Sequence, residues 1–289
     1  MSSRSVGQRL RILQVRITSR LLGFFWRRPG GPQILRWVRS SWPGRKLQPL
    51  LLGSRSRFPS FETATRCALK YNPHGHNHPR ELEFHLSRAG ALLESDYPAL
   101  YYMSHKANLY RRIFDFGGNI GNLFYSYQPK LNFSLELKWM VYDLPEKQDS
   151  CELLAKHHNE PRVSFTADFQ QAANADLFVA SGSMHYFERR LDQILADLPV
   201  PPRQVLVNRT PFSGQEDIIT VQDTGSYFVP CIAYGRAAFI SGMAKLGYRV
   251  LAEWPTHERR LRVPLYSDVV EPTYGGIFFA LNGCGEPQA

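Results

Sequence analysis

The chain has 289 residues, of which 43% are hydrophobic and 21% charged, enough for one sizeable core with appendages and too apolar for disorder throughout. Its formal charge is +10, yet 13 of the 35 Lys and Arg fall in residues 1–61, where there is no Asp or Glu, and the other 22 face all 25 acidic residues. The positive excess belongs to that first segment, so the overall charge does not support a nucleic-acid-binding protein.

The segment 1–61 reads as a basic arm. Leu10, Leu13, Ile17, Leu21 and Phe24 recur at helical spacing, with Arg9, Arg16, Arg20 and Arg27 on an adjacent stripe. Three readings stand side by side. Such a helix can lie on an anionic membrane surface, apolar face down, each arginine contributing roughly 1 kcal/mol near the headgroups. An Arg-rich, acid-free N-terminus also has the composition of a mitochondrial transit peptide, and a solvated or internally docked extension around Pro29-Gly30-Gly31-Pro32 needs no partner. The arginines break every apolar run short of the ~20 residues a spanning helix requires, so no transmembrane segment is expected. Residues 62–110 read as a helical cap, with 81–93 its clearest helix and Tyr101, Tyr102 and His105 near its end. His74, His76 and His78 alternate with Gly75 and Asn77 as in a solvated loop, and no metal site is expected.

From residue 111 to 289 the pattern is that of one α/β domain. Apolar runs at 112–116, 137–142, 163–168, 176–182 and 204–207 read as strands, and stretches at 119–127, 146–158, 188–198 and 233–246 carry apolar residues at three- and four-residue spacing, as helices do. Strands alternating with helices imply a parallel sheet with right-handed crossovers. The tail breaks the alternation, since 248–254 and 276–281 read as two strands with no helical pattern between them.

The first strand ends in Asp115-Phe116-Gly117-Gly118-Asn119-Ile120-Gly121. Glycine serves where backbone must take positive φ or let a ligand approach, and a turn into a helix points amide N–H groups at what sits there. A dinucleotide fingerprint would need Gly-x-Gly-x-x-Gly, but Asn119 and Asn122 occupy the second and third positions. The run fits Asp-x-Gly-x-x-x-Gly, and Asp143 closes the second strand, where a carboxylate can accept hydrogen bonds from ribose hydroxyls.

On these residues the chain resembles the class I S-adenosylmethionine-dependent methyltransferases. Over residues 58–284 it looks like a family of bacterial methyltransferase-fold proteins of unassigned substrate, through Phe58-Pro59-Ser60-Phe61-Glu62, Phe116-Gly117-Gly118, Ser181-Gly182 with His185-Tyr186, and Arg209-Thr210-Pro211-Phe212. The resemblance implies a Rossmann-like, mostly parallel seven-stranded sheet with an antiparallel C-terminal pair. It implies S-adenosylmethionine held by Asp115, Phe116, Gly117, Gly118, Gly121, Asp143, Leu144, Asp168, Phe169 and Ser181, with Asp168 at the adenine amine. The turn Asp143-Leu144-Pro145-Glu146 is similar to that of several O-methyltransferases.

Catalysis in such a site is mainly orientation of donor and acceptor. Phe116, Tyr125 or Tyr186 can offer a ring face to a sulfonium. His185, just past strand four, is the candidate general base for a hydroxyl acceptor, or else a structural residue. Arg209, Thr210 and Tyr102 are the candidate acceptor contacts, against turn and packing roles. The expected function is methylation of a small or carbohydrate-like hydroxyl acceptor, the alternative a non-catalytic binding protein on the same fold. Cys67, Cys151, Cys231 and Cys284 form no CxxC pair, which suits a reducing cytoplasm.

Overall fold

The computed structural model describes residues 57–69, 90–223, 228–261 and 272–283, together with 13, 17, 21, 24 and 28–30. Residues 74, 76 and 78, most of the 81–93 helix, and Arg9, Arg16, Arg20 and Arg27 of the arm lie outside these. In chain order the elements are α1 (Phe61–Leu69), α2 (Asp96–Ser104), β1 (Arg112–Phe116), α3 (Asn122–Tyr127), β2 (Lys138–Tyr142), α4 (Gln148–His157), β3 (Val163–Thr166), β4 (Leu177–Ser181) and α5 (Leu191–Leu195). After these come β5 (Gln204–Ser213), β6 (Ile218–Asp223), β7 (Phe228–Gly235), α6 (Arg236–Lys245), β8 (Tyr248–Arg260) and β9 (Thr273–Leu281).

Strands β3, β2, β1, β4 and β5 run parallel in that order. Strand β9 lies antiparallel against β5, and β8 antiparallel against β9. These seven strands make the Rossmann-like sheet with the antiparallel C-terminal pair. The described sheet nonetheless has nine strands, not seven. The additional two, β6 and β7, form an antiparallel hairpin between β5 and α6. Strand β4 leaves β5 at Asn208, β9 holds the other edge as far as Phe212, and β7 joins parallel at Phe212 and Ser213 on the edge β4 has vacated. Strand five therefore runs six residues past the predicted 204–207, and the helix predicted from 233 starts at Arg236, after β7.

Alternation along each strand divides the core into two layers. Ile113, Leu177, Val179 and Leu206 face the layer that contains Trp139 and the α2 and α3 residues Met103 and Phe124. Phe114, Phe178, Ala180, Val205 and Val207 face the layer of α5 and α6. A sheet covered on both faces needs strands apolar throughout, which is why β1 and β4 were readable as continuous runs. A third, smaller cluster seats Ala64 and Ala68 of α1 against Val221 and Phe228 of the hairpin, and the Phe58 amide donates to the Ile219 carbonyl along the edge of β6 at 2.8 Å.

Candidate functional site

The carboxyl ends of β1, β2 and β4 converge on the glycine loop. Gly117, Asn119 and Gly121 all take positive φ, at 67°, 56° and 80°, so the chain cannot be helical there and α3 begins at Asn122, three residues later than its apolar spacing predicts. Only glycine fits at 117, where an added Cβ would lie 2.4 Å from Ser183 Cβ. The Ser183 hydroxyl donates to the Phe116 carbonyl at 2.5 Å and ties the turn after β4 to the loop after β1.

Four of the loop amides, those of Gly117, Gly118, Asn119 and Gly121, are turned inward. Gly117 and Gly118 both donate to the Tyr142 carbonyl, at 2.7 and 3.3 Å, and Gly121 donates to the Gly118 carbonyl at 2.9 Å. The Asn119 amide donates to Asp143 Oδ2 at 2.8 Å, while Leu144 donates to Asp143 Oδ1 at 2.7 Å. This departs from the expected row of free donors, because the sharp turn brings the amides over the end of β2. Asp143 thus faces the loop. The Asn119 Oδ1 atom is buried with no partner among the described residues. An orphaned acceptor beside a carboxylate fits a ligand carrying hydroxyl or amino groups, and the spent amides leave little to hold a phosphate.

The two strand-end acids have different surroundings. Asp115 is 1% exposed, accepts a hydrogen bond from Trp139 Nε1 at 3.0 Å, and lies under Gly118, where a Cβ would fall 2.6 Å from Asp115 Oδ2. Burial pushes its carboxyl up to about 7, the Trp139 bond opposing this and the nearby Asp143 charge adding to it. It supports the loop from below. Asp168 is exposed at the end of β3, and its Oδ1 accepts from the Gln170 amide at 2.9 Å. Phe116, Tyr142 and Phe169 make an aromatic floor, with Phe116 stacked on Tyr142 at 5.4 Å and 10° and Phe169 edge-on to Tyr142 at 5.9 Å. Leu144 is 42% exposed beside it. The Tyr125 ring instead packs on His158 at 4.7 Å.

Arg209 and Ser181 form part of a buried polar tie. Arg209 takes φ 51° at the β5 bulge, donates Nη1 to Asp96 Oδ1 at 2.8 Å and Nη2 to Ser181 Oγ at 2.7 Å. Asp96 also accepts from the Tyr127 hydroxyl and the Leu93 amide, both at 2.8 Å. The guanidinium is therefore neutralised by the start of α2. Thr210 is fully buried, and Tyr102 stacks on Trp254 at 5.9 Å. His185 is fully buried in the turn after β4, its ring 4.0 Å from that of Tyr186 and 5.8 Å from that of Tyr274. The Tyr186 hydroxyl donates to Gln222 Oε1 at 3.0 Å. Gln222 and Tyr274, on the hairpin and on β9, carried no motif by which sequence reading could find them. Asn119 carried only its place between the loop glycines. No cluster of metal-ligating side chains occurs among the described residues.

No family model matches the chain, and no curated protein sequence matches it. Among solved structures it is similar to the mitomycin 7-O-methyltransferase MmcR (TM-score 0.49, 13% identity, 89% of this chain and 74% of that one). It is also similar to the N-terminal domain of EvdMO1 crystallised with SAH and D-fucose (0.46, 14%, 67% and 85%). A third is the riboflavin-analogue dimethyltransferase RosA from Streptomyces davawensis (0.46, 13%, 96% and 71%). Likeness at this level bears on neither activity nor acceptor. Strand order, the antiparallel C-terminal pair and the glycine loop facing the acid just past β2 together define the Rossmann-like class I methyltransferase fold.

Proposed function

We propose that the chain binds S-adenosylmethionine and methylates a hydroxyl of a small, carbohydrate-like acceptor. The observation that carries this reading is Asp143, turned into a glycine loop four of whose amides are already committed, an arrangement suited to a nucleoside without a pyrophosphate. Asp143 would hold the ribose hydroxyls, Asn119 a further donor of the ligand, Asp168 the adenine amine, and Phe116, Tyr142 and Phe169 the floor beneath. When bound, the sulfonium supplies a methyl group already activated for transfer. The chain's own part is to orient the acceptor, which can lower a barrier by roughly 7 to 11 kcal/mol, and to take up the hydroxyl proton, for which His185 is the candidate.

Calorimetry with S-adenosylmethionine tests the site. Binding by the wild type is expected, weakened about 10- to 100-fold in Asp143→Ala through loss of charged hydrogen bonds. Equal affinity in the two proteins would reject the assignment. The complete burial of His185 favours a second reading, a protein that binds the cofactor without turnover. Methyl transfer that falls in His185→Gln, with cofactor affinity retained, would dismiss it. For the arm, Leu13, Ile17, Leu21 and Phe24 are helical and 50–54% exposed, which supports contact with an anionic membrane surface.

A further inference from the structure

Beyond the end of β4, a polar cluster stands apart from the cofactor residues. Gln222 on β6 joins two tyrosines, accepting from the Tyr186 hydroxyl at 3.0 Å and donating Nε2 to the Tyr274 hydroxyl at 3.4 Å. Tyr274 faces Thr256 across the β8–β9 ladder and packs with Cys231, which in turn faces Thr220 across the hairpin. Alternation puts Thr220 and Gln222 on the same face of β6. Thr220 and Thr256 are 0% and 5% exposed, and among the described residues neither hydroxyl has a hydrogen-bond partner.

A buried hydroxyl without a partner is costly, and native structures rarely keep one without a reason. Here one faces Tyr274 directly and the other reaches it through Cys231, and the Tyr274 ring lies 5.8 Å from that of His185, in the turn after β4. The cluster offers hydroxyls and an amide, each able to donate and accept, together with tyrosine ring faces. Among the described residues, Arg259 is the cation whose charge acts on Tyr274. The side chains of Thr220, Gln222, Thr256 and Tyr274 are themselves uncharged, so hydrogen bonding would set the fit at these four.

We propose that Thr220, Gln222, Thr256 and Tyr274 form the acceptor pocket and select a neutral ring bearing several hydroxyls, a sugar or cyclic polyol. This rests on the methyltransferase reading and assigns its substrate class to the β6–β7 hairpin. The test uses the full chain and the double variant Thr220→Val/Thr256→Val, which keeps shape and removes both hydroxyls. Without acceptor, the variant should melt about 2 to 4 °C higher, because two unsatisfied groups are gone, with S-adenosylmethionine affinity unchanged. With S-adenosylhomocysteine present, at least one of methyl β-D-glucopyranoside, methyl α-D-mannopyranoside and myo-inositol should raise the wild-type melting temperature, and none should raise that of the variant. A lower melting temperature in the variant would overturn the proposal, because the hydroxyls then serve the fold. A wild type that binds the cofactor and responds to none of the three probes would overturn the substrate class. A wild type that fails to bind the cofactor would remove the methyltransferase reading, a result separate from either.

Discussion

Asp115 is held under the glycine loop in a place that disfavours its charge. Its folded value of about 7 lies above the ordinary 3.8, so the folded protein retains a proton that the unfolded chain gives up. Between these two values stability should fall as pH rises, being full below 3.8 and lost through about 7. Asp115→Asn, which can still accept from Trp139, should flatten this slope and stand on the order of a few kcal/mol more stable than wild type at alkaline pH. Urea unfolding across that range would show it, and parallel pH profiles for the two proteins would refute it. Both Asp115 and Asp143 are legible in the sequence as acids beside glycine or closing an apolar run. Their different roles are not, because what separates them is one indole: Trp139 caps Asp115 from the next strand, while Asp143 lies past the last ladder position and turns to the loop.

Strands β1, β4 and β9 are buried on both faces and were readable within a few residues from continuous apolar runs. Strand β8 was readable only at its start, since it runs to Arg260, six residues past the predicted end at 254, with Arg249 and Glu253 in the run. The hairpin escaped because Pro230 interrupts β7, and a proline within a run argues against a paired strand. Helix α2 hangs on a tie equally invisible in sequence, since Asp96 and Arg209 stand 113 residues apart. Their side chains are 3% and 10% exposed, so removing one partner leaves a buried charge. Arg209→Ala should cost about 3 to 5 kcal/mol. Arg209→Lys should recover only part of this, as a lysine lacks the fork that reaches Asp96 and Ser181 together. Denaturant midpoints would measure both, and a loss under about 1 kcal/mol, typical of an exposed pair, would contradict the account.

At the scale of the whole molecule, charge is polarised between a basic first segment and an acidic remainder. Among the described residues no helix is long and apolar enough to cross a membrane. Co-sedimentation with phosphatidylserine vesicles should be strong for the full chain, weaken as salt rises and drop on deletion of residues 1–30. Equal sedimentation of both proteins would rule the arm out as a lipid contact.

The free edge of the sheet is closed by polypeptide from far upstream. Phe58 bonds to β6, and Arg57 pairs with Glu216, 159 residues later in the chain. A ribosome therefore releases α1 long before the strand that receives it exists. Synthesis proceeds at about 5 to 20 residues per second, so the nascent helix waits on the order of ten seconds with its small apolar face bare. The border at β6 is thus sealed by a helix made about 150 residues before the strand it covers.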